Sequence, residues 1–229
     1  MSEIQIIAKL DDILTDYHEK YKDIFKYINP GILKANSKEV VKRFNEENQT
    51  INFCRAVQEH CEDAIVWYEY PWRIEGIKEG NKKLSSNRFD AVIYLPKDRT
   101  LLIVESKCLR KPSKYNDMRN DLKRICGKDQ YTTIQANFPS FNNVYAIILA
   151  DYWKKKTGNY TKVEESWKTE FDKLKETNVL FKFKSDVNEY LDVLKSNSSP
   201  ENKFKGFEDY FLFALIGRIK EKPTYRKID

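Results

Sequence analysis

The sequence predicts an α/β domain, on three observations. Between Glu46 and Asp151, amphipathic segments and short apolar runs follow one another as helix, strand, strand, strand, helix, strand. Two of those runs, residues 91–95 and 101–104, flank the polar loop Pro96-Lys97-Asp98-Arg99 and read as a β-hairpin. A third run, residues 144–150 (VYAIILA), is apolar throughout, as expected of a central strand covered on both faces. At 229 residues and 41% hydrophobic, the chain suits one domain with a substantial core.

Each element has its own signal. Residues 3–28 place Ile6, Leu10, Ile13, Leu14, Tyr17, Tyr21 and Ile24 on one helical stripe, and Asn29-Pro30-Gly31 ends it. A second helical run is expected over 37–45. Over 46–64 a helix aligns Cys54, Val57, Cys61 and Ile65, with Glu47 on the same stripe near its start and Glu62 on its flank. Residues 64–73 (AIVWYEYPWR) read as the first core strand, with Glu69 inward or paired to Arg88. A polar loop over 76–87, carrying Lys78, Lys82 and Lys83, leads into the hairpin. Beyond a Pro-marked bend, a helix over 115–136 buries Met118, Leu122, Ile125 and Cys126, leaving Asp117, Asp121, Lys123 and Arg124 outside or at a rim. A helix over 163–177, an edge strand over 179–184 with outward lysines, a helix from Ser185-Asp186 to 195 and a loop over 196–206 follow. An apolar helix over 207–220 is expected to close the core.

The hairpin carries the chemistry. If the loop has four residues, Leu95 pairs with Thr100, and counting back sets Asp90 opposite Glu105, with Lys107 two residues on and pointing the same way. Two carboxylates and an ammonium then converge at the end of an otherwise apolar strand pair. Buried charges are costly without partners. Adjacent carboxylates raise one another's pKa unless something positive intervenes. A hard cation such as Mg2+ would relieve that repulsion, activate a water and neutralise charge on a phosphodiester. Lys107 would orient or deprotonate that water, or stabilise the transition state. A structural salt bridge of Asp90 or Glu105 with Lys107 or Arg88 is the plainer alternative.

The residues Phe89-Asp90 and Glu105-Ser106-Lys107 resemble the PD-(D/E)XK nuclease superfamily, whose signature is an Asp on one strand and Glu-x-Lys ending the next. Phe89 stands where that pattern usually has proline. Glu201-Asn202-Lys203 also matches the triplet, but it lies in a Ser/Asn/Pro-rich stretch with no strand before it. The resemblance covers about residues 46–151. It implies a restriction-endonuclease-like core, a mixed central sheet flanked by helices, with added N- and C-terminal helices. Residues 1–45 would be an N-terminal helical segment packed on a nuclease domain at 46–229. The implied activity is metal-dependent hydrolysis of DNA phosphodiesters, by an endonuclease of restriction, phage-defence or repair type. Asp90, Glu105 and the Ser106 carbonyl would hold Mg2+, with Mn2+ as a substitute, and Lys107 would act on the reacting groups. Many members add a carboxylate from the first helix, for which Glu47 is the candidate. The alternative for Glu47 is a favourable acid at a helix N-terminus, a role Glu46 would fill equally.

Charge placement points to a polyanionic partner. The net charge is +6, and the stretch from Lys107 to Lys128 has eight basic residues against Asp117 and Asp121. Arg110, Lys111, Lys114, Arg119, Lys123 and Arg124, with Lys82 and Lys83, are the candidates for phosphate contact. A solvated helix face is the competing explanation. DNA is the expected partner, with an RNA substrate, a catalytically silent binding module and a homodimer left open. The four cysteines lack metal-site spacing and read as reduced, and no signal peptide or membrane-length run is evident, so a cytoplasmic location is expected. Two histidines leave little room for imidazole chemistry.

Overall fold

The computed structural model describes residues 3–27, 32–35, 38–41, 46–71, 88–109, 114–126, 130–138, 140–155, 179–186 and 207–219. Its frame is a six-stranded mixed sheet. The strands are β3 (Ile65–Pro71), β4 (Arg88–Leu95), β5 (Thr100–Leu109), β6 (Asn143–Lys155), β7 (Val179–Asp186) and β8 (Phe207–Arg218), in the spatial order β3-β4-β5-β6-β8-β7. Only β5 and β6 run parallel; the other neighbours are antiparallel. A separate two-stranded hairpin joins β1 (Ile32–Ala35) to β2 (Lys38–Val41).

The expected hairpin register holds: Leu95 pairs with Thr100, and the ladder runs to Ala91↔Val104. Its turn is closed by the Arg99 N–H donating to the Pro96 carbonyl at 3.1 Å, with Arg99 in the left-handed region at φ 47°. The Arg99 carbonyl then accepts the Asn142 N–H at 2.7 Å, which seats β6 beside β5.

Two apolar layers sandwich the sheet. On one side, α1 (Glu3–Tyr27) and α2 (Glu46–His60) bury Leu10, Ile13, Tyr17, Phe53 and Val57 against Ile93, Leu102, Val104 and Ile147. Tyr17 meets Phe53 edge to face at 5.9 Å, a geometry worth roughly 0.5–1.5 kcal/mol beyond area. Lys9 reaches Asp98 at 3.0 Å and ties α1 to the hairpin turn. On the other side, α3 (Lys114–Ile125) and α4 (Gln130–Asn137) bury Met118, Leu122, Ile125 and Ile134 against Val92, Leu101, Ile103 and Ile148.

Several expectations are corrected. Residues 207–220 hold a strand, β8, not a helix, so no helix closes the core there. Its residues alternate between the two layers, Leu212, Ala214 and Ile216 on one side and Phe213 and Leu215 on the other. A strand buried on both faces reads as a continuous apolar run, which length alone can mistake for a helix. The run over 37–45 contains β2, where Val40 and Val41 favour extended backbone, so the first 45 residues are not wholly helical. The single helix over 115–136 is two, and Gly127 lies in the sequence between them. The edge position of β7 agrees with expectation, and Ser185 and Asp186 belong to that strand. The helices expected over 163–177 and after Asp186 lie outside the described residues. Among those described, no helix is long and apolar enough to cross a membrane. All four cysteines are free thiols, and burial pushes those of Cys54 and Cys126 up to about 12, far from thiolate chemistry.

Candidate active site

β5 outruns β4, and the site lies where it does so. The paired register stops at Ala91↔Val104, so the next step, at which Asp90 would face Glu105, is unpaired. β3 breaks at the same level: Glu69, across from Asp90, has φ 53° and is skipped between Tyr68↔Ala91 and Tyr70↔Phe89. A non-glycine residue held there costs on the order of 1–3 kcal/mol, and such strain concentrates at functional sites. Beyond this break the β5 edge N–H groups have no paired strand among the described residues, and carboxylates take two of them. The Ser106 N–H donates to Asp90 Oδ2 at 2.6 Å, and the Cys108 N–H donates to Glu46 Oε1 at 3.0 Å. Acidic side chains thus replace the missing strand.

The other side of β5 supplies the charges. Glu105 is buried at 3% exposure; its Oε1 accepts from Arg124 Nη2 at 2.7 Å, and its Oε2 lies 3.5 Å from Lys107 Nζ. Lys107 also reaches Asp121 Oδ2 at 3.1 Å, and Arg124 reaches Asp121 Oδ1 at 3.1 Å. The Arg124 guanidinium sits 5.8 Å from the centre of the Phe89 ring.

Burial decides the protonation of the carboxylates. It raises the Asp90 carboxyl, opposed by the Ser106 N–H and Lys107 and helped by Glu46 and Glu69. Burial first, and Asp90 second, push Glu105 up to about 7, in spite of Lys107 and Arg124. Burial works against the Lys107 charge, but Glu105 and Asp121 outweigh it and hold its pKa above the ordinary lysine value. A carboxyl moved that far up by burial, between a second carboxylate and a lysine, is an environment found at reactive sites and also in buried ion-pair networks.

α2 pins β5 from behind. Thr50 Oγ1 and Ser106 Oγ lie 2.7 Å apart, and Gln49 Nε2 donates to the Lys107 carbonyl at 3.2 Å and to Asp151 Oδ1 at 3.2 Å. Gln49 is fully buried. Cys54, Val57 and Cys61 are buried as expected, and these polar residues widen the inward face of α2 beyond that stripe. Glu46 and Glu47, the latter expected at the site, are both exposed, and it is the Glu46 carboxylate that accepts the Cys108 N–H. The buried face of α2 runs through Gln49, Thr50, Phe53, Cys54, Ala56 and Val57. Glu62 is also exposed. Glu69 is exposed and pairs with Arg88 at 3.4 Å, the second of its two readings.

Asp90, Glu105 and Lys107 are therefore brought together, while Arg124, placed among the phosphate-binding candidates, is committed to Glu105 and Asp121. Lys82, Lys83, Arg110 and Lys111 lie outside the described residues, as do the side chains of Lys114, Arg119 and Lys123. Glu46, Gln49, Asp121 and Arg124 are the participants that the motif does not contain. Asp121 and Arg124, three apart on α3, flank the buried Leu122 and Ile125.

A divalent ion can be tested against the donors present. Among the described residues no three His, Cys, Asp or Glu side chains form a ready metal cluster. Mg2+ asks for less, since it keeps several waters and takes one or two carboxylates. Asp90 and Glu105 are hard oxygen donors, Asp90 helps to raise the Glu105 pKa, and the Ser106 carbonyl shares the strand edge of the N–H that meets Asp90. The donor set fits. No family model matches the chain, and no curated protein or solved structure does either.

Proposed function

We propose that the chain is a metal-dependent nuclease that hydrolyses phosphodiester bonds in DNA, an endonuclease of restriction, phage-defence or repair type, with a restriction-endonuclease-like core. One observation carries this reading. Asp90, Glu105 and Lys107 converge where β4 parts from β5, with Glu105 raised to about 7 by burial and by Asp90. Asp90, Glu105 and the Ser106 carbonyl would hold Mg2+, or Mn2+ in its place. When bound, the ion would activate water and offset phosphate charge.

The chain's own residues supply the rest. Lys107 remains an ammonium, because Glu105 and Asp121 hold its pKa up. A fixed cation of that kind stabilises the charge that builds on the phosphate oxygens as water adds. It is a poor base, so the charge role is favoured over deprotonating the water. Asp121 orients Lys107 and Arg124 together, and Gln49 fixes the Lys107 backbone. As a ligand of the ion Glu105 would be ionised, and Arg124 and Lys107 beside it favour that form.

The ion pairs of Glu105 with Arg124 and Lys107 favour a second reading, a binding module in which those cations only neutralise a buried acid. One experiment separates the two. Purified protein is incubated with plasmid, linear duplex and RNA, each with Mg2+, Mn2+ or EDTA. The nuclease reading expects metal-dependent, EDTA-blocked cleavage, strongest on DNA. Retention of nucleic acid without cleavage under every metal condition would favour the binding module.

A further inference from the structure

We propose that Trp67, backed by Tyr70, is a stacking platform for an unpaired nucleobase beside the scissile phosphate. The substrate class is then nucleic acid with an unstacked or single-stranded nucleotide at the site. The inference rests on the nuclease reading for the word scissile, and on nucleic-acid binding alone for the rest.

Trp67 pairs with Val92, so the two side chains stand on one face of the sheet. Val92 belongs to the α3 and α4 layer, the same side as Leu101 and Ile103, and strand alternation puts Glu105 and Lys107 on that side too. Asp90 is two residues from Val92 on β4, so Trp67 lies across from the stretch of β4 that leads into the break at Asp90. The indole is nevertheless 61% exposed, and Ile65, two residues before it on the same face, is 59% exposed. Tyr70 supports Trp67 edge to face at 5.6 Å and 84°, and Tyr70 leans in turn on Phe138 at 5.1 Å. The break at Glu69 is what turns both Trp67 and Tyr70 to this side, three residues apart in a strand.

The alternative occupant of an exposed edge strand is another strand. β3 is poorly made for that. The left-handed Glu69 interrupts its ladder, and Pro71 has no N–H to offer. A flat aromatic ring open to solvent, braced by a second ring and next to a phosphate-handling cluster, suits a π face. Every base has one, and base–aromatic stacking is sequence-tolerant.

The test measures binding in EDTA, so that cleavage plays no part. Fluorescein-labelled oligothymidylate and a blunt duplex of equal length are titrated with wild type, Trp67→Ala and Trp67→Phe, and anisotropy is read. Trp67→Ala is expected to lose roughly ten- to a hundredfold in affinity for the single strand and much less for the duplex. Trp67→Phe is expected to keep most of it, which a folding defect would not do. Equal single-strand affinities in all three proteins would overturn the platform. So would a loss of self-association in Trp67→Ala with binding unchanged, which would make the surface a contact between copies. A wild type that stacks the single strand yet cleaves nothing would leave the platform standing and remove the nuclease. A wild type that cleaves while Trp67→Ala binds normally would do the reverse.

Discussion

Replacing Glu105 by glutamine keeps the side chain's shape and removes its charge. The Glu105 carboxyl is raised from 4.5 to about 7 in the folded chain, first by burial and then by Asp90. Between those values the folded state holds a proton that the unfolded chain has released. The contribution of Glu105 to stability is thus full below the unfolded value and is lost as pH rises through about 7. Moving that carboxyl from 4.5 to about 7 makes the ionised form cost on the order of 3 kcal/mol. Glu105→Gln escapes that cost. In EDTA, urea unfolding followed by circular dichroism should show the variant gaining on wild type by about 1–3 kcal/mol between about pH 4.5 and about pH 8.5. The comparison across pH cancels the constant difference between an amide and a neutral acid. A plain salt bridge with Arg124 and Lys107 requires the opposite sign. If Glu105→Gln loses ground to wild type as pH rises, the carboxylate is stabilised by its cations and the functional reading of its environment is wrong.

Other consequences are separate. A crystal soaked in Mn2+ under cleaving conditions should show an anomalous peak between Asp90 and Glu105, and its absence would remove the metal assignment. Asp90→Asn should abolish cleavage by weakening that site and should tighten or preserve DNA binding, since a negative charge near phosphate is gone; weakened binding in a gel-shift titration would contradict this. Neutralising Arg110, Lys111 and Lys114 together should lower affinity across unrelated duplexes and reduce the salt slope by roughly 2–3, at about 0.9 per phosphate contact. An unchanged slope would mark the basic stretch as a solvated surface.

The hairpin was legible because its two apolar runs differ sharply from Pro96-Lys97-Asp98-Arg99, and its length alone sets Leu95 against Thr100. The position of Asp90 was legible only in part. Counting assumes a regular ladder, whereas the strands part at Asp90, and its carboxylate turns to the Ser106 N–H instead of standing opposite Glu105. The break is written in the φ of Glu69, which no periodicity shows. The α2 stripe through Cys54, Val57 and Cys61 is buried as expected, but the buried face is wider and takes in polar Gln49, Thr50 and Asn52, which apolar residues alone do not reveal, so Glu47 was singled out over Glu46. β8 misled for the opposite reason, being apolar toward both layers. Asp121 and Arg124 had only their spacing to announce them, and their role depends on α3 lying across the end of β5.

The most direct test of the central claim is single-turnover cleavage by Lys107→Ala, measured beside its DNA affinity. Lys107 stays cationic between Glu105 and Asp121, and its charge matters most when phosphate charge peaks. The variant should bind DNA nearly as wild type does and cleave it slower by about a hundredfold or more in saturating Mg2+. Cleavage at the wild-type rate with equal binding would contradict the account, because the lysine would then be only a counter-ion for buried acids.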